Sequence, residues 1–288
     1  MKKLSFLAVV IFLFGCTEVP PVIDFSEPVL LATDTTYITS DLPQNVKKNV
    51  LIEDISGVRC NNCPKAADIA HDIQDKYPNR IAGLTLHSNK YGAFTAPYPE
   101  SKDTFNTVEA TEIVSNLIGE PSGLPAGAID RKVFAGKTSK INQQYETWES
   151  QVVEQLALTP KADLELELIK QQGREIIANV KATFLAEDTS ATYLSVFIVE
   201  RHIKAKQKMP DNTYDKDYLH NSILRKAVTN YAGVKLADNV EVGRVFEKGF
   251  VFTIPEKYDI NYCSIVVLIN KNEQATTEVV QSIEKSIE

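Results

Sequence analysis

The sequence contains few cysteine, histidine and tryptophan residues: four, four and one among 288 residues. It also has no excess of positive charge, because 31 Lys and Arg stand against 38 Asp and Glu and give a formal net charge of −7. A surface of this sign gives no electrostatic reason to bind nucleic acid, so we expect no nucleic-acid partner. The remaining composition is that of an ordinary globular protein, which excludes a disordered or repetitive chain.

A second absence is an apolar run of about 20 residues, the length needed to span a bilayer. The longest candidate, residues 4–14, follows two lysines and is typical of a secretory signal peptide. It ends in LFGC at residues 13–16, which resembles the lipobox of bacterial lipoproteins. The resemblance implies that residues 1–15 are removed and that Cys16 carries acyl chains, which anchor the protein to a membrane outside the cytoplasm. The alternative is an ordinary signal peptide in which Cys16 has no role.

The chain divides into four predicted segments. Residues 1–15 form the signal peptide, and residues 16–45, polar and rich in proline, form a lipidated tether. Residues 46–159 alternate strand and helix signals and predict an α/β domain. Residues 160–288 carry several runs with period-two alternation, which predict an antiparallel β-sandwich of immunoglobulin-like size. The fold class is therefore α/β followed by all-β.

Two stretches of the last segment have less regular patterns. Residues 203–240 are rich in charged residues and interrupt the sandwich, with a predicted helix at Ser222–Tyr231. The last dozen residues fit either a strand or a helix, although Val280, Ile283 and Ile287 recur only at helical spacing.

The small number of cysteines limits what they can bind. If Cys16 is acylated, the thiols of Cys60, Cys63 and Cys263 remain in an oxidising compartment. A zinc site would need two ligands beyond Cys60 and Cys63, and the sequence offers no second close pair, so we expect no metal. Cys263 alternates with apolar residues in a strand pattern and is predicted to be a buried free thiol.

The motif Cys60-Asn61-Asn62-Cys63 lies between a buried strand signal and an apolar pattern at helical spacing that stops at Pro78. The positive end of a helix stabilises a thiolate, which is the nucleophile in disulfide exchange. We therefore predict that Cys60 is the attacking thiol and that Cys63 resolves the mixed disulfide. Asn61 and Asn62 help to set the reduction potential, and both are candidate substrate-binding residues.

Three nearby features belong to the same predicted site. Asp54 lies six residues before Cys60 on the strand, where its carboxylate can relay a proton, and Glu53 is the alternative if the register slips. His87 ends the following strand and should lie at the same edge of the sheet as the cysteines, with ordinary surface hydrogen bonding as its alternative. The long aromatic loop at residues 91–99 either walls a cleft over the cysteines or packs against the second domain.

The order of strand, Cys-x-x-Cys and helix, with an acid six residues before the first cysteine, resembles the thioredoxin superfamily. The resemblance implies a parallel strand at Arg80–His87 and a later hairpin opened by a cis-proline, which Pro125 supplies. The cis Leu124–Pro125 bond would present backbone groups to an incoming peptide, so Leu124 is a candidate substrate-binding residue.

The mature chain as a whole resembles a narrower group, the outer-membrane lipoprotein family named for a twenty-eight-kilodalton member. Three stretches carry this resemblance: Cys60–Pro64, Gly123–Pro125 and Leu219–Arg225. It implies a lipid-anchored protein of the cell envelope at the outer membrane, facing either the periplasm or the outside, with a thioredoxin-like domain followed by the β-sandwich.

These observations lead to one main hypothesis and two alternatives. The main hypothesis is a thiol–disulfide oxidoreductase that acts on protein or peptide thiols without a dissociable cofactor. Its catalytic residues are Cys60, Cys63, Pro125 and Asp54, and its substrate-binding residues are Leu124, His87, Asn61 and Asn62. The first alternative is a non-enzymatic binding or scaffolding lipoprotein in which Cys60–Cys63 is a structural disulfide. The second is a metallochaperone.

Overall fold

The computed structural model describes residues 30–101, 103–273 and 276–287. The predicted signal peptide and Cys16 lie outside the described residues. The strands are β1 (Leu30–Ile38), β2 (Val50–Ile55), β3 (Ile81–Ser88), β4 (Asn106–Thr107), β5 (Ala126–Ile129), β6 (Ala162–Lys170), β7 (Glu175–Phe184), β8 (Thr192–Glu200), β9 (Ile203–Lys208), β10 (Tyr214–His220), β11 (Ile223–Ala227), β12 (Val234–Ala237), β13 (Arg244–Thr253), β14 (Cys263–Lys271) and β15 (Val279–Ser286). The helices are α1 (Cys63–Lys76), α2 (Gly92–Thr95), α3 (Val108–Glu112), which continues as a π-helix (Ile113–Ile118), and α4 (Trp148–Leu156).

The first half of the chain forms an α/β layer. Strand β2 is buried along its whole length and pairs in parallel with β3, as the resemblance implied, and antiparallel with β5. Helices α1 and α4 cover one face of these strands, while α3 and its π-helical extension cover the other. The apolar spacing that predicted α1 buries Ala66 and Ile73 against this sheet.

Close packing of α4 on β5 depends on one glycine. Trp148 is fully buried, and its indole nitrogen donates a hydrogen bond to the carbonyl of Asn142 at 3.1 Å. A Cβ atom at Gly127 would lie 2.3 Å from the Trp148 ring, a distance that side chains do not tolerate. The absence of a side chain at this strand position therefore allows the tryptophan to lie directly on the sheet.

The second half of the chain is rich in antiparallel strands. A four-stranded sheet in the order β1-β13-β7-β6 packs against β8 and β14, and the alternating residues of β6 and β7 fill the layer between them. Strict alternation in β6 buries Leu164 and Leu166, as the sequence pattern predicted. The first strand of this sheet, β1, begins within the segment predicted as a tether, at Leu30.

The two halves share one long sheet. Its strand order is β15-β14-β8-β11-β3-β2-β5, so strands from both sides of the predicted boundary at residue 159 are hydrogen-bonded into one layer. Strand β11 makes the connection, pairing antiparallel with β8 and in parallel with β3 through Ile223 and Thr85. The predicted division at residues 159–160 stays a prediction.

The predicted helix at Ser222–Tyr231 is wrong, because Ile223–Ala227 form strand β11. The short apolar run at the start of this segment fits the spacing of a helix as well as that of a strand. It forms a strand because it pairs with β8 on one side and β3 on the other within the long sheet. The last segment, for which both types were open, is strand β15 and pairs with β14. Among the described residues, no helix is long and apolar enough to cross a membrane.

Candidate functional site

Cys60 and Cys63 form a disulfide at the start of α1, with their Cα atoms 5.4 Å apart. Cys63 is the first residue of the helix, and Pro64 follows in the first turn, where the missing N–H has no helical partner to lose. Cys60 precedes the helix in a turn formed by residues 56–62, which we call the dithiol turn. Both cysteines are only 1% exposed.

Two segments from elsewhere in the chain cover the dithiol turn. From the hairpin of β9 and β10, the Gln207 amide donates hydrogen bonds to the carbonyls of Cys60, at 2.9 Å, and Gly57, at 3.4 Å. From the aromatic loop, the carbonyl of Phe94 accepts a hydrogen bond from the backbone N–H of Arg59 at 2.8 Å, and its oxygen would lie only 2.5 Å from a Cβ at Gly57. The loop thus covers the turn and also packs against the β9–β10 hairpin, where the ring centroids of Tyr98 and Tyr214 are 5.9 Å apart, so contacts of both predicted kinds are present. The hairpin closes the turn from the other side.

Two adjacent acidic residues on β2, Glu53 and Asp54, point to opposite faces of the sheet and differ in whether they have a hydrogen-bond partner. Glu53 is fully buried and accepts three hydrogen bonds from the guanidinium of Arg131, the shortest at 2.7 Å. Asp54 points to the other face, is 2% exposed, and neither of its carboxylate oxygens has a hydrogen-bond partner among the described residues. Burial raises the pKa of Asp54 to about 7. The register therefore favours Asp54 over Glu53 as the acid beside the cysteines.

Asp54 and Cys63 both line a cavity of about 350 Å³ between α1 and β10. We call it the acidic cavity, because Asp54, Asp68, Asp215 and Asp217 line it and no lysine or arginine is among its described lining residues. Cys60 is not among these lining residues, so the cavity reaches Cys63, the predicted resolving cysteine, and not Cys60, the predicted attacking cysteine.

Besides its two aspartates, strand β10 and the residues after it add four polar residues to the acidic cavity: Tyr218, His220, Asn221 and Ser222. Burial lowers the pKa of His220 to about 4, so the imidazole is neutral near pH 7. Burial, together with the charges of Asp68 and Asp54, raises the pKa of Tyr218.

His87 lies near this site without lining it. His87 is 1% exposed. Its ring packs edge to face with Phe105, with the ring centroids 5.4 Å apart, and the Phe105 ring packs in the same way against His220, with the centroids 4.8 Å apart. Burial lowers the pKa of His87 to about 3, and its Nδ1 has no partner among the described residues. The alternative of ordinary surface hydrogen bonding is therefore wrong, because packing of the aromatic rings removes this histidine from the surface.

The predicted residues of the later hairpin lie at the edge of β5. The Leu124–Pro125 peptide bond is cis, as predicted from the resemblance. Pro125 is buried directly before Ala126, which pairs with Ile55 at the end of β2, while Leu124 is half-buried against the core. This register places the cis bond at the same end of the sheet as the dithiol turn.

The two asparagines between the cysteines are accessible. Asn61 is half-buried, and Asn62 is exposed and occupies the N-cap position of α1 without a side-chain capping hydrogen bond. Their predicted contribution to substrate binding stays a prediction, as do the assigned roles of the other site residues.

The sequence analysis missed the contribution of the β9–β10 hairpin. Gln207, Tyr218 and His220 lie in the charged stretch that was treated as an interruption of the sandwich. The only available signal was the stretch Leu219–Arg225, which carries part of the family resemblance. Cys263, by contrast, is buried and unpaired as predicted, and burial raises the pKa of its thiol to about 12.

The family profile described as outer membrane protein Omp28 matches residues 117–287, more than half of the chain. The class defined by this match is an outer-membrane protein. The chain belongs to the Omp28 family. Its predicted location in the cell envelope, at the outer membrane, is thereby confirmed, while the lipid anchor and acylation at Cys16 stay predictions.

Solved structures with a related fold come from two bacteria. HBP35 of Porphyromonas gingivalis is 17% identical, with a TM-score of 0.63 over 84% of this chain and 76% of that one. A protein of Agrobacterium tumefaciens is 10% identical, with a TM-score of 0.50 over 84% of this chain and 96% of that one. A domain of the outer membrane lipoprotein Omp28 from Porphyromonas gingivalis is 16% identical over 45% of this chain and 90% of that one, but its TM-score of 0.31 is too low to show a shared fold. Among curated protein sequences, none matches this chain.

Proposed function

We propose that this lipid-anchored outer-membrane protein exchanges disulfides with protein or peptide thiols through a thioredoxin-like arrangement. The observation that carries the proposal is the position of Cys60–Cys63 at the start of α1, with unpartnered Asp54 in the same cavity as Cys63. Further support comes from the parallel pairing of β2 with β3 and from the cis bond before Pro125 at the same end of the sheet.

Exchange in the oxidising direction uses groups that are all at this site. A substrate thiolate attacks the Sγ of Cys60, which forms a mixed disulfide and releases Cys63 as a thiolate. Asp54, protonated below its raised pKa, supplies the proton that neutralises Cys63. A second substrate thiolate then attacks the substrate sulfur of the mixed disulfide, which forms the substrate disulfide and releases Cys60 as a thiolate. Two electrons thereby pass from the substrate dithiol to Cys60 and Cys63.

The reducing direction reverses these steps. The thiolate of Cys60 attacks a substrate disulfide, and the positive end of α1 favours this thiolate. The carboxylate of Asp54 then removes the proton of Cys63, whose thiolate attacks Cys60 and releases the reduced substrate. Because Cys60 is 1% exposed and does not line the cavity that reaches Cys63, a substrate reaches Cys60 when the β9–β10 hairpin moves away from the dithiol turn.

The same burial favours a second candidate function. A disulfide covered on two sides, with its backbone held by Gln207, is suited to stiffening the turn at the start of α1. The protein would then be a non-enzymatic binding or scaffolding lipoprotein. The two candidates differ in how readily the disulfide is reduced.

The deciding experiment is the reduction potential of Cys60–Cys63 in the purified protein, equilibrated with glutathione and with thioredoxin-type buffers, and read by trapping free thiols. Exchange predicts a value between about −120 and −270 mV, whereas a structural disulfide lies below about −300 mV. A double variant, Cys60→Ser with Cys63→Ser, measures the background from Cys263, whose thiol is buried. A disulfide that resists all of these buffers would contradict the proposal.

A further inference from the structure

The acidic cavity has an exposed rim and a buried floor. Asp68, Asp215 and Asp217 are exposed at its rim, on α1 and β10. The floor is formed by buried groups, among them Asp54 and Ser222. A volume of about 350 Å³ that opens to solvent accommodates one long side chain, although it is at the lower end of the range for small-molecule sites.

Charge at the acidic cavity is of one sign. Four aspartates line it, and a nearby cation, Lys204, lies outside the lining and only approaches Asp217 at 3.7 Å with both side chains well exposed. Such an exposed ion pair contributes little to stability, so the Asp217 carboxylate can exchange Lys204 for another cation. Among the described residues, no group of three or more His, Cys, Asp or Glu is arranged to hold a metal ion. The dispersed carboxylates of this cavity therefore suit an organic cation with several hydrogen-bond donors better than a compact metal ion.

The floor presents acceptors that nothing in the described part of the chain satisfies. Both oxygens of Asp54, the hydroxyl of Ser222 and the Nε2 of His220 have no partner, and each of these residues is at least nine-tenths buried. The neutral imidazole of His220 has one N–H group, which donates a hydrogen bond to the backbone of Ala205. The other ring nitrogen, Nε2, is therefore an acceptor. The amide nitrogen of Gln74 is an unpartnered donor in the same cavity.

Buried polar groups without partners are costly, and a ligand with the complementary groups removes that cost. A guanidinium group has five N–H donors in a plane and no acceptor, which matches a floor dominated by acceptors beneath an acidic rim. Gly83 allows two of these polar groups to lie close to β3, since a Cβ there would lie 2.6 Å from the Gln74 amide and 2.9 Å from the Ser222 hydroxyl.

We propose that the acidic cavity between α1 and β10 binds a guanidinium group, with Asp54 on the floor and Asp215 and Asp217 at the rim as its partners. This inference goes beyond disulfide exchange, because it requires no thiol chemistry. A guanidinium bound in this cavity would place a positive charge near Cys63. Either an arginine side chain of a partner protein or a free guanidinium compound can supply this group.

The test uses the purified protein with its disulfide intact and a nine-residue peptide that has one central arginine and no cysteine. Its matched control is the same peptide with citrulline, which has nearly the same shape and no charge. Nα-acetyl-arginine amide is the third ligand, and binding is measured by isothermal titration calorimetry. We expect the arginine peptide to bind at least about tenfold more tightly than the citrulline peptide, as for a charge that meets a buried carboxylate.

Two variants test the residues that bind the ligand, and a third variant is their control. Asp215→Asn with Asp217→Asn removes two rim charges and should weaken binding of the arginine peptide about tenfold. Glu154→Gln with Glu187→Gln removes two exposed charges outside the cavity, and should leave the affinity unchanged. Asp54→Asn tests the floor independently of the hairpin, and should also weaken binding at pH 8.

Equal binding of the arginine and citrulline peptides, no binding of either, or binding that neither Asp215→Asn with Asp217→Asn nor Asp54→Asn weakens would overturn the proposal. If the single-residue amide binds as tightly as the peptide, the ligand is a free guanidinium compound. If only the peptide binds, the ligand is an arginine side chain of a protein partner. Since no thiol takes part, a negative result here leaves the reduction-potential experiment unaffected, and the reverse also holds.

Discussion

At the level of single residues, Asp54 and Glu53 show how one step along a buried strand changes the state of a carboxylate. Glu53 meets the guanidinium of Arg131, so its charge is neutralised where it is buried. Asp54 faces the acidic cavity without a partner among the described residues, so burial disfavours its charged form. The useful property of Asp54, a carboxyl that can take up and release a proton near pH 7, follows from that lack of a partner.

Asp54→Asn should make the protein more stable at high pH. The pKa of Asp54 is raised in the folded state from its ordinary 3.8 to about 7. The protonated carboxyl therefore makes its full contribution to the free energy of unfolding below about pH 4, and this contribution is lost as the pH rises through about 7. Since one pH unit of difference corresponds to about 1.4 kcal/mol, the variant should gain up to about 4 kcal/mol in unfolding free energy relative to wild type between pH 4 and pH 8.

Urea unfolding at several pH values measures this difference. Asp41→Asn removes an exposed carboxyl and controls for the loss of one negative charge. If the variant and the wild type keep a constant difference from pH 4 to pH 8, the assigned surroundings of Asp54 are incorrect.

At the level of elements, the β9–β10 hairpin covers the dithiol turn. One side chain, Gln207, joins the hairpin to the dithiol turn through the carbonyls of Gly57 and Cys60. A backbone hydrogen bond from Lys208 to Val58, at 2.9 Å, continues the contact. The hairpin is a two-stranded sheet outside the two larger sheets, and such peripheral units open at a lower cost than the core.

Gln207→Ala should speed the reduction of Cys60–Cys63. Loss of one side chain that holds the hairpin down lowers the cost of local opening by about 1 to 1.5 kcal/mol, which corresponds to roughly a tenfold faster reaction with a small thiol. The measurement is the rate of thiol release in dithiothreitol under native conditions. Gln171→Ala, at an exposed turn after β6, is the control and should react like the wild type.

The elements of the site differ in how far the sequence could predict them. Strand β2, the Cys-x-x-Cys motif and α1 are contiguous, and their local periodicity specifies them. The hairpin reaches the dithiol turn across about 150 residues, and no local pattern encodes such a contact. Strand β11 was predicted as a helix for a related reason, because Ile223 and Leu224 are buried by strands on both sides that a single-sequence pattern does not show.

For the whole molecule, the shared sheet predicts that the two halves unfold together. A buried cluster on one face of this sheet combines Leu84 and Ile113 from the first half with Phe197 and Val266 from the second. Separation of the halves would expose this cluster and the edges of β3 and β11. Independent domains would share a small polar interface, which differs from a continuous core of this kind.

The single tryptophan makes this prediction testable. Trp148 reports on the first half, while Phe250 is fully buried in the core of the second half, in a different cluster. Phe250→Ala should destabilise its own core by about 3 to 5 kcal/mol, and in a cooperative molecule the Trp148 fluorescence transition must shift by the same amount. Val242→Ala, at an exposed position in the second half, should shift neither the fluorescence nor the circular dichroism transition. A Trp148 transition that stays at the wild-type temperature while the circular dichroism transition falls would mean that the halves are separate folding units, and that the site between α1 and β10 is formed by docking rather than by one shared core.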